Sequence, residues 1–113
     1  MPSTNFWTQL EALVAGSRLV IDRPRHSRHP RYPDLIYPYD YGYLENTTAA
    51  DGGGIDVWLG SLPERRLEAV ICTVDGVRRD AELKLLLGCT PAEAQQILRF
   101  HNAGSQAGLL VER

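Results

Sequence analysis

The sequence predicts a mainly β chain with flanking helices, an α+β arrangement in which short strands form a small barrel or strongly curved sheet. Three observations carry this. Short apolar or β-branched runs recur between turn signals, the strongest being Leu67 to Val74 just before Asp75-Gly76. Apolar residues at helical spacing open the chain. Near its end, Thr90-Pro91-Ala92-Glu93 has the form of a capping box with proline at the first helical position. A chain of 113 residues is most simply one domain, residues 1–113.

The elements follow in order. Phe6, Leu10, Leu13 and Val14 mark one face of a first helix, with Ser3 or Thr4 available as N-cap and Gly16 as its stop. Leu19-Val20-Ile21 is a short strand. Pro24, Pro30, Pro33 and Pro38 exclude a regular helix and predict an ordered loop or extended turns. Ile55 to Leu59 is a strand ended by Gly60-Ser61-Leu62-Pro63. Ala81 to Leu87 follows the Asp75-Gly76 turn as the next strand. The second helix runs from Pro91 to about Asn102, and Leu109-Leu110-Val111 forms a last strand. No internal repeat or low-complexity tract interrupts this order.

Composition narrows the function classes. A net charge of -2 argues against nucleic-acid binding driven by bulk charge. The charge is nonetheless uneven, with Arg23, Arg25, Arg28 and Arg31 close together beside His26 and His29. No apolar run approaches the roughly 20 residues that span a membrane, and no basic-then-apolar leader opens the chain. The expectation is a cytoplasmic protein without nucleic-acid or membrane partners. Cys72 lies in an apolar run and reads as a buried free thiol. Two cysteines make no disulfide framework.

The chemistry-bearing residues cluster in the middle. Asp51-Gly52-Gly53-Gly54-Ile55-Asp56-Val57 carries a carboxylate at each end of a glycine-rich loop, shortly after Tyr37-Pro38-Tyr39-Asp40-Tyr41-Gly42-Tyr43. Carboxylates so placed are ligands for a hard divalent cation such as Mg²⁺, and tyrosines beside them are donors to phosphoryl oxygens. Asp75 and Asp80 repeat the spacing of Asp51 and Asp56. Spacing alone equally describes solvated turn aspartates.

Residues 19 to 86 resemble the soluble, Mg²⁺-dependent inorganic pyrophosphatases, whose barrel is like the OB fold. Tyr37-Pro38 and Tyr41-Gly42-Tyr43 match that family's tyrosine pattern. Asp51, Ile55, Asp56 and Val57 match its Asp-x-Asp-Pro-x-Asp-Val signature, and Asp75 with Asp80-Ala81-Glu82-Leu83 matches a later aspartate pair. The resemblance implies an OB-like barrel, hydrolysis of pyrophosphate to phosphate, and a symmetric homo-oligomer. It implies Mg²⁺ on Asp51, Asp56, Asp75 and Asp80. Asp22, standing where the family has a glutamate, joins them. It implies catalytic roles for Asp56 and Tyr41. Substrate contacts fall to Arg31, Tyr37 and Tyr41; Arg25 or Arg28, and Lys84, stand in for family cations that this chain lacks.

Three departures qualify it. Gly53 and Gly54 stand where the signature has its middle aspartate and its proline. The lost carboxylate is the best general-base candidate, a role typically worth about 10²–10⁴-fold in rate. Glu82 replaces a lysine, with Lys84 two residues on and on the same strand face. The family's C-terminal Tyr-Lys pair is missing; His101, in Phe100-His101-Asn102, lies in a comparable place. Two other readings therefore stand beside a pyrophosphatase. One is a hydrolase of another small phosphoanhydride or phosphate ester, and the other is a non-catalytic anion- or metal-binding module.

Overall fold

The computed structural model describes the backbone of residues 2–113 and the side chains of residues 5–113. Helix α1 spans Pro2–Ala15 and α2 spans Pro91–Phe100. The strands are β1 (Leu19–Arg23), β2 (Asp40–Leu44), β3 (Ile55–Leu59), β4 (Leu67–Asp75), β5 (Asp80–Leu87) and β6 (Gln106–Glu112). The predicted class holds: mainly β, with a helix near each end. The six strands form one sheet in the order β1-β2-β3-β5-β4-β6. The sheet is open, because β1 and β6 are its two edges and do not pair with each other. Every neighbour pair is antiparallel except β3 with β5.

Both faces of the sheet are covered at its centre, so its strands do not alternate cleanly between apolar and polar. On one face Trp7 and Leu10 of α1 pack with Val57, Val70, Leu85 and Leu87. On the other, Ala94 and Ile97 of α2 pack with Trp58, Ile71, Leu86 and the loop residue Tyr37. Adjacent residues such as Val57 and Trp58 are thus both fully buried, each in its own layer. The backbone of α1 is already helical at Pro2, which leaves no N-cap role for Ser3 or Thr4; their side chains lie outside the described residues. Gly16 stands just past the end of α1, and its N–H bonds the Ala12 carbonyl at 3.0 Å.

The capping box opening α2 forms as its sequence predicts. Thr90 Oγ1 accepts from the Glu93 N–H at 3.1 Å, and Glu93 Oε1 accepts from the Thr90 N–H at 2.9 Å. Glu93 also accepts from the Ser61 N–H, tying the helix to the turn after β3. The proline-rich segment is an ordered loop held by its backbone. His26 N–H bonds Tyr37 O at 2.8 Å and Tyr37 N–H bonds Ser27 O at 2.9 Å, while His29 N–H bonds Leu35 O at 2.8 Å.

Cys72 is exposed, not buried. Cover by α1 ends before it, so the outward alternation of β4 leaves Cys72 and Val74 bare. Cys89 is half-buried, and burial pushes its thiol up to about 12. The native protein is therefore expected to give one fast maleimide-reactive thiol, Cys72. Cys89 should react on the order of 100-fold more slowly, since the thiolate is the nucleophile. Two equally fast thiols in the native state would contradict this burial.

Candidate functional site

The sheet face under α2 changes character along its length. Trp58, Ile71 and Leu86 are apolar under the helix. Two residues earlier on β3 and on β5 the same face carries Asp56 and Lys84, and the register aligns them: Tyr43 with Asp56, and Asp56 with Lys84. Past the end of α2 this polar half opens into a cavity of about 570 Å³.

Lys84 sits at its centre. The residue is 5% exposed. Its Nζ lies 2.7 Å from Asp56 Oδ2, 2.8 Å from the Tyr41 hydroxyl and 3.2 Å from Glu82 Oε1. Burial opposes the ammonium charge, but Tyr41 and Asp56 outweigh it and raise the lysine's proton affinity. Burial pushes the Tyr41 hydroxyl well above the ordinary tyrosine range, so it stays protonated. Burial also raises Glu82, and the neighbouring Asp56 adds to that.

A second device shapes the rim. The β1–β2 register shifts between Ile21 and Arg23, which leaves Asp22 at a bulge and re-aims the strand end at the cavity. Arg23 Nη1 donates to the Tyr37 hydroxyl at 2.9 Å, and Tyr37 is buried among Tyr41, Trp58 and Phe100. His29 stacks on Tyr37, and its Nδ1 accepts from the Arg31 and Tyr32 N–H groups. Burial lowers the proton affinity of His29, and Arg23, Arg31 and Arg78 lower it further.

Arg78 reaches the cavity from the β4–β5 turn. Asp75 holds that turn, its Oδ1 accepting from the Val77 and Arg78 N–H groups at 3.0 and 3.1 Å while Ser105 Oγ donates to both oxygens. The Arg78 N–H and burial act oppositely on Asp75, and with Ser105 and Val77 the net effect is a lowered carboxyl pKa. The floor beneath α2 ends in a buried chain: Trp58 Nε1 donates to His101 Nε2 at 2.9 Å, and His101 Nδ1 meets Gln106 Oε1 at 2.8 Å.

The structure brings together Asp22, Asp51, Asp56, Asp75, Tyr37, Tyr41 and Lys84 of the sequence-predicted site residues. It does not bring in three others. Asp80 lies across from Asp75 in the hairpin and pairs with Arg78 at 3.6 Å, outside the cavity lining. Arg25 turns away, its N–H bonding Asp40 and its guanidinium lying 5.2 Å over Tyr39. Arg31 stands outside the lining as well, near His29. In their place the cavity takes Arg23, Arg78, His29 and Glu82. Arg23 sits beside the bulge, which no spacing rule reveals. Arg78 follows a turn read only as a turn.

The described residues do not offer a resident Mg²⁺ site. Mg²⁺ demands near-octahedral oxygen ligands. Among the described residues no three His, Cys, Asp or Glu side chains converge on one point. The central cation position between Asp56 and Glu82 is held by Lys84, and Asp75 is committed to its turn and to Ser105. Asp51 Oδ1 accepts from the Gly53 N–H at 2.9 Å within its own exposed loop.

Solved structures share this architecture. An inorganic pyrophosphatase from Neisseria gonorrhoeae aligns with a TM-score of 0.66 at 18% identity, over 83% of this chain and 80% of that one. The fold is pyrophosphatase-like. An inorganic pyrophosphatase from Helicobacter pylori (TM-score 0.59, 16% identity) covers 83% of this chain and 81% of its own. One from Coxiella burnetii (TM-score 0.55, 13% identity) covers 83% and 82%. No family model matches the chain, and no curated protein does. Among the described residues no helix is long and apolar enough to cross a membrane.

Proposed function

We propose that the cavity binds and hydrolyses a small phosphoanhydride, pyrophosphate first, delivered as its magnesium complex. The observation that carries this is a cavity with two chemically opposed linings on a pyrophosphatase-like fold. Asp22, Asp51, Asp56 and Glu82 face it alongside Arg23, Arg78 and Lys84. Carboxylates outnumber the cations, so a bare phosphate anion meets repulsion there. A metal–phosphate complex carries both signs and satisfies both linings. Magnesium thus belongs to the substrate in this reading, and the protein's own groups do the rest.

Arg23 and Arg78 bind phosphoryl oxygens, where guanidinium geometry suits bidentate contact. The Tyr41 hydroxyl, kept protonated by burial, is a donor to the same group. Asp56 and Glu82 hold the attacking water and accept its proton. Glu82, whose affinity for protons is raised by burial, suits that role at neutral pH. The cavity's volume of about 570 Å³ fits a small substrate and argues against a polymer. A non-catalytic module binding the same metal–phosphate complex is the second reading. It is favoured by Gly53, which lies exposed and outside the cavity lining in the absence of the signature's middle carboxylate.

Phosphate release from pyrophosphate, measured against Mg²⁺ concentration, tests this. The expected result is turnover that tracks the magnesium–pyrophosphate complex and falls about 10²–10⁴-fold in Asp56→Asn. Binding without turnover would select the second reading, and neither would reject both. Gly53→Asp sharpens the test. A Cβ at Gly53 meets only Asp51 Oδ1, at 3.4 Å, so the loop accepts the side chain. Gly54 is different, because a Cβ there lies 2.8 Å from Leu44 O and from Tyr43 Cδ2. If the missing base limits turnover, Gly53→Asp raises it at least tenfold; no change would show that this carboxylate is not limiting.

A further inference from the structure

We propose that Lys84 is a built-in cation standing where a divalent ion would bridge Asp56 and Glu82, so that the protein alone holds no divalent ion there, and that neutralising Lys84 uncovers a divalent-cation site. The inference concerns the protein without phosphate and stands apart from the hydrolase reading.

The geometry supports it at each atom. A lysine ammonium has three N–H donors. Here Asp56 Oδ2, Tyr41 OH and Glu82 Oε1 take all three, at 2.7, 2.8 and 3.2 Å. None is left to reach a substrate, so Lys84 acts on the carboxylates. It is a positioning residue. The backbone makes the arrangement rigid. Asp56 and Lys84 are directly paired between the parallel strands β3 and β5, and Glu82 precedes Lys84 by two residues on the same face. The side chains of Lys84, Asp56 and Glu82 are only 6%, 22% and 16% exposed.

Two carboxylates so close and so dry require a positive charge between them, or one must take up a proton. Lysine supplies that charge with nitrogen donors and leaves no lone pair for a metal. Remove it, and Asp56, Glu82 and the Tyr41 hydroxyl present oxygens to the same point, with cavity space beside them for water. That is a donor set for Mg²⁺ or Mn²⁺, which keep several waters when one or two carboxylates bind them.

The experiment titrates Mn²⁺ into phosphate-free protein and follows free Mn²⁺ by electron paramagnetic resonance. Wild type and Lys84→Arg should show no saturable site that depends on Asp56. Folded Lys84→Gln should bind one Mn²⁺ at least tenfold more tightly than wild type, with a matching thermal stabilisation. Adding Asp56→Asn to Lys84→Gln should abolish it. A saturable site in wild type that Asp56→Asn removes would overturn the proposal. So would a folded Lys84→Gln that binds no tighter than wild type, because a proton would then have replaced the lysine. If Lys84→Gln does not fold, Lys84→Met, uncharged and of similar length, takes its place with the same two readings. Phosphate is absent throughout, so failure here is distinguishable from failure to hydrolyse pyrophosphate.

Discussion

Gly42→Ala should lower the melting temperature by roughly 10–20 °C, about 3 kcal/mol for a chain of this size. Gly42 lies mid-way along β2, paired with Ile21 of β1 and Val57 of β3. A Cβ there would stand 1.8 Å from Val20 O, 2.7 Å from Val20 C and 2.9 Å from Ile21 Cα. All three are backbone atoms of the edge strand, so no side chain can swing aside to make room. The strand itself must move. Total stabilities of such domains are about 5–15 kcal/mol, so the loss is a large share. Function should suffer beyond stability, because β1 carries Asp22 and Arg23 to the cavity rim. Gly76→Ala is the control: no atom lies within 4 Å of its Cβ, and its φ is not in the left-handed region. A Gly42→Ala melting point within a few degrees of wild type would mean that β1 does not press on β2 as described.

That close approach also explains what the sequence hides. Ile55 to Leu59, Leu67 to Val74 and the capping box were legible because apolar runs and a cap are local signals. Strand β2 was not. Its Asp-Tyr-Gly-Tyr-Leu places a glycine mid-strand, which propensity disfavours, and only the crowding from β1 shows why the glycine belongs there. The bulge at Asp22 has no sequence mark either. It turns Arg23 toward the cavity, whereas the family resemblance points to Arg31, with Arg25 or Arg28 as a stand-in cation.

The paired aspartates carry a similar lesson. Equal spacing made Asp75 and Asp80 look like twins of Asp51 and Asp56. In the hairpin they face each other across β4 and β5, yet local chemistry separates them: Asp75 caps the turn and Asp80 meets Arg78. Spacing located the carboxylates near one another and said nothing of the hydrogen bonds that already occupied them. The pairing of Lys84 with Glu82 across one strand face was foreseeable, since residues two apart on a strand share a side. Its contact with Asp56 needed the parallel register of β3 and β5, a non-local fact.

His101 supplies the second large effect, an acid-side loss of stability of about 3 kcal/mol between pH 6.5 and pH 4. The residue is 4% exposed, and burial pulls its proton affinity down to about 4, with Lys84 adding to the shift and Gln106 and Asp56 opposing it. Hydrogen bonding gives the same answer. Trp58 Nε1 can only donate, so His101 Nε2 must accept, and Nδ1–H then donates to Gln106 Oε1. A protonated ring would set two N–H groups against each other in the core. The unfolded histidine takes its proton near pH 6.5 while the folded one resists to about pH 4. Stability is therefore whole above the unfolded value and drains as pH falls through that window. Other groups tilt the curve. Glu82, with its raised affinity, favours the folded state on acidification, while Asp75, with its lowered affinity, adds loss at still lower pH. His101→Gln separates these contributions. Its amide oxygen still accepts from Trp58 and it cannot titrate, so its melting curve should stay flatter than wild type between pH 6.5 and pH 4. At neutral pH it should cost only the roughly 1 kcal/mol of an altered hydrogen bond. Parallel pH–stability curves for the two proteins would show that His101 is not held neutral by Trp58 and Gln106.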